Sequence, residues 1–136
     1  MPRKTDSDNP ADWLLVAEVD MAMVRHSLDD DSTFSGCQAK RAEALEKVMK
    51  AASIGAGWQL VRTHNLLLLA DELSLRDPAL DAEIRPLCET LAEFYLGTRY
   101  PGFDFEDPDW PTLRAQLEAI IALSATVRSR LPPSRT

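Results

Sequence analysis

Arg99 and Tyr100 stand side by side in "YLGTRYPG", a planar guanidinium next to a phenol, just before Pro101 and Gly102. An Arg fork suits phosphate or carboxylate, and a Tyr adds a hydroxyl and a stacking face. The competing reading pairs Arg99 with a nearby acid such as Asp104, Glu106 or Asp107 and uses Tyr100 to close the core. His64 in "VRTHNL" is a second candidate, because Thr63 and His64 open a helical pattern. Backbone N–H groups and the positive dipole end at a helix start favour an anion. Against this stands a His64 that only caps and packs its own helix.

Other chemistries find less support. With His26 and His64 as the only histidines, a multi-histidine metal site lacks ligands. "IGAGWQ" has glycines but no Lys-Ser/Thr ending and no preceding strand, so it is not read as a phosphate loop. Cys37 and Cys88 are read as small reduced packing residues, since two distant cysteines make no disulfide framework. Asp29, Asp30 and Asp31 are read as a solvated acidic loop rather than a cation site. A formal net charge of −7 argues against general nucleic-acid binding and against DNA, so RNA or a nucleotide would need a local basic patch.

These residues sit among helical patterns. The 136 residues fit one domain, placed at 9–131 with a flexible N-terminus 1–8 and a tail 132–136. No apolar run reaches the about 18 residues of a membrane span. No apolar stretch precedes Trp13 as a secretory signal, so a cytoplasmic location is expected. Apolar positions recur at helical rather than alternating spacing.

Asn9-Pro10 starts a helix to about Leu28 whose apolar residues nearly encircle it, the mark of a central helix or of one pressed on a second molecule. A second helix, about Ser35 to Ile54, puts Ala42, Leu45, Val48, Met49 and Ala52 on one face. Glu43, Glu46, Lys47 and Lys50 lie opposite, as two i,i+4 pairs expected at an exposed surface. Thr63 is the expected cap of a third helix to Ser74. Pro86 is expected to separate a short piece, 78–84, from a helix 86–97. A last helix, Pro111 to Leu131, carries the stripe Leu113, Leu117, Ile120, Ser124, Val127 and Leu131. The expected fold is an all-α, up-and-down antiparallel bundle of four to five helices.

Four ordered pieces resemble the HEPN family of small helical domains, found in prokaryotes and some eukaryotic chains. They are "WLLVAEVDM" with Ala17 and Asp20, "AEALEKVMKA" with Glu46, Lys47, Lys50 and Ala51, "THNLLLLADEL" with Thr63 and His64, and "YLGTRYPG" with Arg99, Tyr100 and Pro101. Asp20, Glu46, Thr63 and Pro101 would be structural motif positions. The resemblance implies a helical bundle, frequent homodimerisation, and a minimal nucleotidyltransferase partner in a toxin-antitoxin-like pair. Its RNase members use an Arg and, after four to six residues, a His; no Arg precedes His26 or His64 at that spacing. The "CQAKRAEA" stretch also departs from the family, which more often has glutamines there.

The reading is therefore a non-catalytic, homodimeric binding domain without cofactor or metal. Its ligand would be a nucleotide, an RNA end or the nucleotidyltransferase, met near Lys47, Lys50, His64, Arg99 and Tyr100. The alternatives are a metal-independent endoribonuclease using His64 and Arg99, and a purely structural dimerisation module.

Overall fold

The computed structural model describes residues 7–57, 63, 65–97 and 108–131, with side chains for all of these except 92–97. The expected all-α bundle is observed. Its helices are α1 (Pro10–His26), α2 (Phe34–Gly55), α3 (Leu66–Arg76), α4 (Asp81–Gly97) and α5 (Trp110–Arg130), and no strand occurs among the described residues. No helix among them is long and apolar enough to cross a membrane.

α1 starts where Asn9 and Pro10 say it should, with the Asn9 side chain accepting the Ala11 N–H. Ser7, just ahead of the helix, bonds to its first turn. Its hydroxyl donates to Asp12 at 2.6 Å and its carbonyl accepts the Trp13 indole N–H at 2.8 Å. Residues 1–6 and the tail 132–136 lie outside the described residues.

The acidic turn after α1 is more than a solvated loop. Asp29 pairs with Arg114, Asp30 accepts the Ser32 N–H to cap a 3-10 turn, and Asp31 accepts the Trp110 indole N–H at 2.7 Å. Asp29 and Asp31 thus fasten the α1–α2 connection to the start of α5, while Asp30 holds the turn between them.

α2 is the axis of the molecule and packs against each of the other four helices. That position corrects the expected polar face: Glu46 and Lys50 are only 4% and 5% exposed. Their i,i+4 pair forms as spaced, at 2.9 Å, but inside the bundle. Lys47 turns instead to Asp20 of α1, and Glu43 to Lys40. With four helices packed on it, α2 keeps a partly exposed edge at Gly36, Lys40, Glu43 and Lys47, and Glu46 and Lys50 fall inside.

α2 ends as Gly57 adopts φ 98 and donates its N–H to the Ile54 carbonyl. A Cβ there would touch nothing but would be forced into the left-handed region. Gly57→Ala is expected to lower stability by about 1 kcal/mol, read as a lower urea midpoint at unchanged slope.

α3 begins two residues later than expected. Asn65 is the cap, its side chain accepting the Leu68 N–H, while the Thr63 hydroxyl accepts the Asn65 N–H one turn earlier. Asn outranks Thr as an N-cap. Beyond it, Pro78–Leu80 is a 3-10 turn, and α4 runs unbroken through Pro86. The proline is exposed and close to the helix start, so the N–H it lacks removes one bond, to Ala82. The first turn is stapled meanwhile, since Asp81 accepts from Ser74 at 2.5 Å and from Arg85, which also reaches Asp71 at 2.7 Å.

α5 is capped by Asp109, which accepts both the N–H and the hydroxyl of Thr112. These two bonds hold its carboxyl below the usual carboxylate range. Leu113, Leu117, Ile120, Ser124 and Val127 are buried as the stripe predicts. Cys37 and Cys88 are free and buried. The Cys88 thiol donates to Met49 sulfur at 3.4 Å, and burial pushes its pKa up to about 12, which leaves it inert.

Candidate functional site

The α1–α2 seam gathers most of the charged residues that the sequence patterns single out. Asp20 projects from α1 into this seam and is 4% exposed. Lys47 donates to it at 2.5 Å, and Lys40, one heptad earlier on α2, approaches at 3.6 Å. Lys40 is shared with Glu43 at 3.1 Å, a bond that leads the causes raising its pKa. One buried carboxylate therefore holds two lysines from the neighbouring helix.

A second pair lies one turn further along α2. Lys50 donates to Glu46, and its ammonium sits 5.3 Å from the centre of the Trp13 ring. Trp13 is itself oriented by the Ser7 carbonyl. A desolvated cation over an indole face is worth about 2 kcal/mol. The seam contains three ammoniums, Lys40, Lys47 and Lys50, and three carboxylates, Asp20, Glu43 and Glu46. Its charges balance, so it fixes the register of α1 on α2 but presents little net field to an incoming phosphate.

Of the five candidate contact residues, Lys47 and Lys50 are thus committed to internal acids. His64, Arg99 and Tyr100, with the motif position Pro101, lie outside the described residues. The motif positions Asp20 and Glu46 are two of the three acids of the seam, and Thr63 precedes the α3 cap. Lys40, Arg41 and Trp13 were not singled out by the sequence. Arg41 is 2% exposed and donates to Gln116 of α5, and burial pulls its guanidinium down to about 10. Only the seven-residue spacing of Lys40 and Lys47 could have grouped those two lysines against one acid.

The opposite side of α1 offers a different surface. Leu15, Val19 and Met23 are 46%, 53% and 50% exposed, a row of large apolar side chains at four-residue spacing. A groove of about 450 Å³ lies beside this row, between Met23, Ser27 and the start of α2 at Gly36 and Lys40. A second, of about 440 Å³, lies between α1 and α5, lined by Ala22, Arg25, His26, Ile121, Ser124 and Arg128. Arg25 pairs across it with Glu118, and Arg128 with Glu18. Among the described residues, no three His, Cys, Asp or Glu side chains gather as metal ligands would.

The model of one protein family, described as HEPN domain, matches residues 11–128, from the first turn of α1 to the last turn of α5. No curated protein and no solved structure matches the chain significantly.

Proposed function

Since the chain belongs to the HEPN domain family, we propose that it is a non-catalytic accessory domain that acts in the cytoplasm as a homodimer. In this reading it binds a nucleotide, an RNA end or a minimal nucleotidyltransferase partner in a toxin-antitoxin-like system. The observation that carries the dimer is the row Leu15, Val19 and Met23, half exposed along the length of α1. Scattered surface leucines are ordinary, but a contiguous apolar ridge is the mark of an interaction site.

The non-catalytic part of the proposal rests on the two histidines, neither of which follows an Arg at the RNase spacing. Contact with the ligand falls to His64, Arg99 and Tyr100, whose side chains suit phosphate and a base. Lys47 and Lys50 complete the candidate set, and a ligand that reaches them must compete with Asp20 and Glu46.

Sedimentation of the purified chain is expected to give a dimer at micromolar concentration, and a monomer removes that part of the proposal. A thermal-shift screen with nucleotides and short RNA ends tests the other part. Saturation at about 100 times Kd raises stability by about 2.7 kcal/mol, and Arg99→Ala is expected to abolish the shift. If no nucleotide or RNA shifts the melt, small-ligand binding is to be dropped and the protein partner remains. Metal-free RNA cleavage that disappears in His64→Ala would replace the non-catalytic reading with an enzymatic one.

A further inference from the structure

The apolar row on α1 is symmetric about its middle residue, and this symmetry specifies a partner. At about 100° per residue, the positions within about 60° of Val19 are Asp12, Leu15, Val16, Ala22, Met23 and His26. All are exposed or half-buried. A two-fold axis through Val19 and perpendicular to α1 exchanges Leu15 with Met23, Val16 with Ala22, and Asp12 with His26. Large apolar meets large apolar, small meets small, and the acid near the helix start meets the imidazole at its end.

We infer that α1 pairs antiparallel with the α1 of a second copy of this chain, Val19 lying on the two-fold axis. This rests on the homodimer proposed above and fixes its geometry. An isologous contact needs a self-complementary patch of this kind. A parallel pairing would set Asp12 on Asp12, His26 on His26 and the helix dipoles side by side, whereas the antiparallel one sets each Asp12 carboxylate beside an imidazole that can donate an N–H to it and opposes unlike dipole ends.

The row alone is too narrow for a stable interface, which takes about 800 Å² from each partner. The grooves on both sides of α1 extend it. In a shallow crossing, of the about 20° class, the partner's row lies alongside this one and its side chains enter a groove. That arrangement also keeps Asp12 within reach of His26 of the second copy.

Single cysteines placed on the exposed row test the geometry, because the native Cys37 and Cys88 are buried. Val19→Cys brings two identical thiols together at the axis and is expected to give mostly disulfide-linked dimer under mild oxidant. Leu15→Cys should not cross-link to itself, since antiparallel pairing sets the two copies about 12 Å apart along the axis, beyond the about 7 Å that a disulfide spans between Cα atoms. Mixed with Met23→Cys, it should cross-link.

Sedimentation of the reduced proteins separates the two levels of failure. A dimer in which Val19→Cys stays unlinked, or in which Leu15→Cys links to itself, overturns the antiparallel geometry and leaves the dimer standing. A monomer removes both. Val19→Lys, which puts two ammoniums on the axis, gives an independent check: it is expected to yield a folded monomer, and a dimer of unchanged affinity overturns the inference.

Discussion

Lys50→Met is expected to cost about 3 kcal/mol of stability, because it removes one member of a buried ion pair and strands much of the other. Lys50 is 5% exposed and Glu46 4%, so water cannot take over the solvation of the carboxylate. The substitution also removes the cation from the Trp13 face, 5.3 Å away. For a domain of this length, a loss of that size lowers the melting temperature by roughly 10 °C.

The pair itself is a weaker source of stability than its removal suggests. Two desolvated charges repay little more than their own dehydration, so Glu46→Leu with Lys50→Met should recover most of the loss. Urea denaturation of the two single variants and the double variant forms a cycle that isolates the coupling. If Lys50→Met unfolds at the parent midpoint, Lys50 is not a structural cation and returns to the ligand candidates. If it is destabilised as expected, a loss of ligand binding in any Lys50 variant says nothing about contact until its folding has been measured.

This case shows where the sequence stops being legible. The spacing of Glu46 and Lys50 is the same in a solvated pair and a buried one, because i,i+4 geometry belongs to the helix and not to its surroundings. What decided between them was the number of helices around α2. Asp20 lies 27 residues from Lys47 in sequence, so no local pattern could join them. Local signals did mark the starts of α1 and α5, where Asn9-Pro10 and Asp109 with Pro111 satisfy exposed N–H groups within a turn. They were less exact at α3, where Thr63 and Asn65 are both competent caps, and at Pro86, where one missing bond near a stapled first turn did not break α4. The all-round apolar character of α1 was also readable, although burial alone shows which part faces the core and which part is the row Leu15, Val19 and Met23.

Trp110→Ala is expected to have the largest effect of any single change at the junction of α5 with the rest of the bundle. Its indole is 7% exposed and meets the Phe34 ring edge to face, with centroids 4.9 Å apart and planes at 82°. Truncating a buried Trp costs about 3–5 kcal/mol, and the aromatic pair adds about 1 kcal/mol beyond the area it buries. The indole N–H also donates to Asp31 at 2.7 Å, which ties the first turn of α5 to the turn before α2, 79 residues away in sequence. Asp31 is exposed and recovers water when the bond is lost, so that bond contributes less than the packing. Trp110→Phe separates the two contributions. It keeps an aromatic ring against Phe34 but gives up the N–H and one ring of the indole, and its expected cost is about 1–2 kcal/mol. Measured by chemical denaturation, Ala far below Phe places the stability in ring packing; near-equal losses would instead assign it to the Asp31 bond, and with it the attachment of α5.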